Sequence, residues 1–302
     1  GMEAQYTEGM TRELRPAELA GTWYPRDASA CLAALEATPA LSSQARWAFG
    51  AVVPHGGWRY AARISGGTLA RLAQLRPEPD LIVALGGHLE AREAPRLFIE
   101  GDWSTPLGRV PTPQALAEVL AMVLSAEPES WEEYYDDNAL EVLMPMFRYF
   151  WPDVPVLTLG VPPDLDGPPV AREIAKAASQ AGFSEPLVVG SVDLTHYGPD
   201  HGYRPRGAGD GAHRWVLEDN DRRFLEHLVA LRAHELAWDG PRLRNTCSPG
   251  AAATAVALAK KLGAESAEVL AHSTSWQEDG AQGVPTSFVG YAGALFVGPP
   301  SP

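Results

Sequence analysis

Cysteine is scarce: Cys31 and Cys247 are the only two in the chain. That excludes a disulfide framework and makes a reducing cytoplasm the expected setting. Basic residues are also outnumbered, with 24 Lys and Arg against 38 Asp and Glu and a net charge of -14. A field of that sign repels phosphate backbones and argues against nucleic acid as a partner. No apolar stretch approaches the ~20 residues that cross a bilayer, so no membrane contact is expected. The start GMEAQYTEGM lacks the basic and apolar regions of a secretory signal, and Gly1 ahead of Met2 reads as a cloning remnant. What remains is ordinary for a globular protein: 302 residues, 45% hydrophobic and 21% charged, ample for a buried core.

Runs rich in Val, Ile and Leu recur with helical segments between them. Strands are expected at 49–53, 80–86, 154–160, 186–191, 266–271 and 287–297, and helices at 28–37, 62–76, 113–125, 139–150, 168–181, 219–236 and 250–262. This alternation predicts an α/β fold, a single domain over 20–302 with a central mixed or parallel sheet flanked by helices, after an N-terminal extension at 1–19. The Pro- and Gly-rich stretches 162–169 and 198–211 read as surface loops, and the acidic run EPESWEEYYDD at 127–137 as a solvated one.

Three of the apolar strands end alike. FGAVV runs into Pro54-His55-Gly56-Gly57, DLIVALG into Gly87-His88, and PLVVGS into Val192-Asp193-Leu194-Thr195-His196. In a parallel sheet these ends share one edge, where open α/β folds place their ligand crevice. Taken singly, each histidine reads as a turn residue, and Asp193 as a cap for the turn that follows. Taken together, they converge. Cys247 adds a fourth point, since Ser248 and Pro249 fit an N-cap and first helical position ahead of AAATAVALAKKLG. The positive end of a helix favours the thiolate, the form that attacks or binds metal. Two imidazoles and a thiolate can hold a metal with one position open, and iron, zinc and copper all accept that set. Asp193 and His196 suit proton transfer, the carboxylate orienting the ring. Trp58 and Tyr60 are expected to wall the space that Gly56 and Gly57 keep open.

GTWYP at 21–25, VVPHGGWRY at 52–60, ALGGH at 84–88, ALEVLMP at 139–145, GSVDLTHYG at 190–198, NTCSPGA at 245–251 and SFVGYAGALF at 287–296 resemble, in order, the motifs of the Memo-like family. Its prokaryotic members are called AmmeMemoRadiSam system protein B. The resemblance implies a fold like that of class III extradiol (LigB-type) dioxygenases, which hold non-heme Fe(II) with two histidines and a carboxylate. It also implies a pocket in which His55, His88 and Cys247 are metal ligands and His196, supported by Asp193, is the acid/base group.

The chain departs from the family at three places. The usual Gly-Pro-Ser-His before the second ligand is Gly86-Gly87-His88, one residue shorter, which puts the reach of His88 in doubt. The family's His-Ser-x-Glu motif keeps Glu141, a candidate pocket residue, but has Asn138 and Ala139 in place of His-Ser, and Ser248 follows the pocket cysteine in place of Gly. Three functions compete: a redox protein with iron first and copper next at His55, His88 and Cys247; a zinc-type hydrolase on the same ligands; and a non-enzymatic protein whose pocket holds a peptide or a metal for a partner. The expected ligand is a small molecule or a peptide, and the family's name points to a radical enzyme as a partner.

Overall fold

The computed structural model describes residues 12–300. Four parallel strands form the centre, in the spatial order Ala48–Val53, Pro186–Ser191, Leu81–Gly86 and Val156–Gly160. Every residue of Ala48–Val53 and Leu81–Gly86 is buried. Alternate side chains feed two separate cores. Val52, Val83 and Val188 pack with helices Gly167–Gln180 and Pro249–Leu262, while Ala51, Ile82 and Val189 pack with Trp58–Leu75 and Met144–Phe150. Burial on both faces is why these strands read as unbroken apolar runs rather than alternating ones.

Antiparallel strands extend the sheet on both sides. Phe288–Val297 pairs with Ala48–Val53 and also carries Ser266–Thr274 and His196–Tyr197. On the other side Arg96–Glu100 runs antiparallel to Val156–Gly160, and Glu127–Ser130 lies beside it. The result is a mixed nine-stranded sheet flanked by helices, the α/β architecture expected. A second sheet of three strands joins Leu14–Arg15, Asp102–Thr105 and Gly108–Val110. Residues 12–19, assigned from sequence to an extension, therefore lie against this body: Arg12 pairs with Asp102 at 3.0 Å and the Leu19 amide donates to Glu141 at 2.8 Å. The part of the extension before residue 12 lies outside the described residues.

Two expected helices are each divided. The one at 219–236 becomes Asp221–Val229 and Ala233–Leu243, because Leu231 turns the chain with φ at +50°. The one at 139–150 becomes Asn138–Glu141 and Met144–Phe150. Neither break moves the edge that matters. Val53, Gly86 and Ser191 end their parallel strands side by side, so the segments after them meet at one rim of the sheet.

Candidate metal centre

His55 follows the first of these strands by two residues and is 1% exposed. Its amide donates to Asp193 Oδ1 at 2.8 Å, and its Nδ1 lies 3.0 Å from Ser191 Oγ. Ser191 already donates its hydroxyl proton to the carbonyl of Ala139, so it can only accept from His55. Nδ1 therefore carries the proton and Nε2 presents a lone pair. His88 repeats the arrangement with a carboxylate. Its amide donates to Asp137 Oδ2 at 2.7 Å, and its Nδ1–H lies 3.1 Å from the same oxygen. The short loop before His88 reaches because Gly87 adopts φ at +100°, and a Cβ there would stand 3.2 Å from the Gly160 backbone.

Cys247 comes from the opposite side of the rim. Its amide and the Thr246 hydroxyl both donate to the carbonyl of Asp193, at 3.1 and 3.0 Å. Ser248 occupies the N-cap position of Pro249–Leu262, yet its hydroxyl donates to the Gly87 carbonyl at 3.1 Å rather than to the helix. That bond ties the cysteine segment to the His88 loop.

The three donor atoms converge. His55 Nε2 lies 3.2 Å from His88 Nε2 and 3.4 Å from Cys247 Sγ, and all three atoms fall within 4.8 Å of one another. Ligands held about 2.0–2.3 Å from a tetrahedral ion lie roughly 3.3–3.6 Å apart, so the spacing fits a metal. The tautomers make the stronger argument. Both Nδ1 protons are engaged outward, which leaves two imidazole lone pairs facing each other across 3.2 Å. Two lone pairs at that distance repel unless a proton or a metal ion stands between them, and outward carboxylate or hydroxyl partners on ligating histidines are the usual means of orienting them.

The electrostatics favour a proton at Nε2 and a thiolate beside it when no metal is bound. Burial pushes the Cys247 thiol up, but the charge of His55 and hydrogen bonds from His55 and His88 outweigh it and bring the group down to about 5. Burial pulls His88 down, but the hydrogen bond to Asp137 and contact with Cys247 outweigh it and raise the ring to about 10. His55 is also raised, with Asp193 and Cys247 overcoming its burial. Burial raises Asp193 and Asp137, and the neighbouring imidazoles bring both below the usual carboxylate range.

In front of these groups lies a cavity of about 670 Å³ lined by His55, His88, Asp193 and His196 together with Trp23, Tyr60, Trp276 and Tyr291. Asp193 Oδ2 stands 3.6 Å from His55 Nε2 and 3.8 Å from His196 Nε2, and that His196 nitrogen has no hydrogen-bond partner. Gly56 has a steric reason for being glycine: a Cβ there would lie 2.3 Å from the Tyr291 hydroxyl.

Five of the expected site residues, His55, His88, Cys247, Asp193 and His196, meet here, and Tyr60 lines the cavity. Two others stand elsewhere. Trp58 faces the core, its indole donating to the Val142 carbonyl at 2.9 Å, because as the first residue of a helix it turns away from the cavity. Glu141 is buried and accepts from the Leu19 amide and the Tyr24 hydroxyl at 2.8 and 2.9 Å, bracing the N-terminal segment. Several participants were not singled out from sequence. Asp137 hid at the end of an acidic run, and the residues that betray it are Asn138 and Ala139, the start of a helix that it caps. Ser191 and Tyr291 sat inside quoted motifs, while His201, in a glycine-rich loop, packs its ring 5.0 Å from that of His196.

Fold and site define an α/β protein with a candidate two-histidine, one-cysteine metal centre at its strand ends. The chain belongs to the Memo-like protein family, whose pattern matches residues 15–295. It is similar to a MEMO1 family protein of Ignicoccus hospitalis, 28% identical over 94% of this chain and 98% of that one. A MEMO1 family protein of Archaeoglobus fulgidus is 27% identical over 94% and 99%. Among solved structures, an uncharacterized protein of Escherichia coli K12 aligns with a TM-score of 0.45 at 14% identity, covering 76% of this chain and 90% of that one.

Proposed function

We propose that the protein binds a redox-active transition metal, iron in the first place and copper in the second, through His55 Nε2, His88 Nε2 and Cys247 Sγ, and acts on a small organic substrate in the adjoining cavity. The observation that carries this reading is the pair of imidazole lone pairs turned toward each other and toward a thiolate by Ser191 and Asp137. When bound there, the metal supplies a Lewis-acidic and redox-capable centre with room for a further ligand.

The chain's own residues supply the rest. His196, whose ring lines the cavity and whose buried Nε2 beside Asp193 has no partner, takes up or returns a proton at the substrate, and Asp193 stabilises the imidazolium in the meantime. Burial and then the Asp193 charge push the Tyr291 hydroxyl up, so it stays protonated and donates to an oxygen of the substrate. Trp23, Tyr60 and Trp276 bind the apolar part and exclude water. A cavity of about 670 Å³ suits a molecule of modest size.

Elemental analysis of protein purified without added metal tests the reading, repeated on His55→Ala and Cys247→Ala. Stoichiometric iron or copper in the wild type and its loss from both variants is the expected result. No stoichiometric metal, or metal retained by both variants, overturns the site. Zinc alone removes the redox function and leaves a hydrolytic one to be assayed on esters and amides.

A further inference from the structure

Next to the centre sits a node of buried polar groups that does not line the cavity and takes no part in the chemistry above. Asp221 is 0% exposed. Its Oδ1 accepts from the Thr195 amide at 3.1 Å and from the Thr195 hydroxyl at 2.5 Å, and its Oδ2 accepts from His272 Nε2 at 3.0 Å. The preceding residue, Asn220, donates from Nδ2 to Thr195 Oγ1 and to the Leu243 carbonyl, both at 3.0 Å, while its own carbonyl accepts from Asn245 Nδ2 at 3.2 Å. Asn220 closes a π-helical turn, Val216–Asn220, an irregularity that recurs at functional sites.

The node reaches both halves of the metal centre. Thr195 lies between Asp193 and His196, and Asn245 stands two residues before Cys247. The strand Phe288–Val297 makes room for the node: a Cβ on Gly290 would meet Asp221 Oδ2 at 2.2 Å. A buried carboxylate is costly unless its oxygens are filled, and here donors from Thr195 and His272 fill them.

We propose that Asn220 and Asp221 are positioning residues for the metal centre, one node that places Cys247 through Asn245 and places Asp193 and His196 through Thr195, with His272 completing the hydrogen bonds of Asp221. This rests on the metal reading above. Loss of a hydrogen bond made directly to a metal ligand typically costs about 10–100-fold in metal affinity, and this node acts one step further out, so a loss at the lower end, about tenfold, is expected.

Cobalt(II) titration of the metal-free protein tests it, followed by the thiolate-to-cobalt charge-transfer band, which reports Cys247 directly. His272→Ala, and Asn245→Ala, which removes the donor to the Asn220 backbone carbonyl, should each weaken cobalt binding about tenfold and diminish the band, with near-ultraviolet circular dichroism unchanged. His272→Gln, which can still donate to Asp221, should restore both. Wild-type affinity and an unaltered band in the two alanine variants overturn the positioning role while leaving the metal site intact. Absence of the band in the wild type overturns the metal reading, and the node's role with it. Should His272→Ala lose its native circular dichroism, His272→Asn, a donor of shorter reach, takes its place in the comparison.

Discussion

Metal binding should release one proton from the centre. With both Nδ1 atoms committed to Ser191 and Asp137, titration at the two histidines takes place on Nε2, and the two Nε2 atoms are 3.2 Å apart. A second Nε2 proton would be directed at Cys247 Sγ and is opposed by the charge already on His88, so the pair titrates as a unit that holds one proton firmly. The thiol leaves its proton at about 5 and His88 holds its own to about 10, so between those values the metal-free site is a thiolate beside one shared imidazolium proton. A divalent ion displaces that proton and no other. Affinity should rise tenfold per pH unit, about 1.4 kcal/mol, and so about 100-fold from roughly pH 5 to roughly pH 7, above which metal-bound water begins to ionise. Calorimetric titration with cobalt(II) near pH 6, in buffers of different ionisation enthalpy, counts the proton. Two protons released would mean that both rings are charged and that the single-proton count is wrong. None would mean that the metal binds elsewhere.

The two cysteines should differ sharply in the metal-free protein. Burial alone pushes the Cys31 thiol up to about 11, whereas Cys247 is brought down to about 5, so iodoacetamide at roughly pH 6 should label only Cys247 by mass spectrometry, and equal labelling would refute the thiolate. Asp137→Asn keeps a capping oxygen for the Asn138–Glu141 helix but removes the charge behind His88, so metal affinity should fall about 10–100-fold with the thermal midpoint nearly unchanged. Glu141→Ala should do the reverse: two donors lose their acceptor, costing about 1–3 kcal/mol each by denaturant titration, while the metal content stays at the wild-type level.

What could be read from the sequence follows from burial. The four central strands were legible because both faces are covered, and their ends carried His55, His88 and Asp193 with them. The peripheral strand Glu127–Ser130 was not, since two of its residues are exposed and the other two only half-buried, so it reads as polar loop. That misreading cost Asp137, which stands seven residues beyond Ser130 in the same acidic run and is the partner of His88. Cys247 was found from helix-start chemistry, but Asn220 and Asp221 were not, and His272 reads from sequence only as a weaker strand-end histidine, because their spacing along the chain says nothing of a shared buried node. Trp58 shows the limit of adjacency: it follows the glycines that border the cavity, yet the helix it begins turns its indole into the core.

The choice between a proton and a metal at this centre is a question of charge. Cys247, Asp193 and Asp137 are all held in their ionised forms, and the two acids are buried or nearly so. Against three negative charges, the shared imidazolium proton supplies one positive charge. Buried charge of one sign is costly, and no arginine or lysine pairs with any of the three among the described residues. A divalent cation in place of the proton brings the sum from two negative charges to one. It also replaces the proton held between the facing nitrogens with two bonds. The thiolate, the two imidazoles and the two carboxylates thus all favour the same occupant, and they are tied together by the bonds of His55 to Ser191 and Asp193, of His88 to Asp137, and of the Cys247 amide to the Asp193 carbonyl.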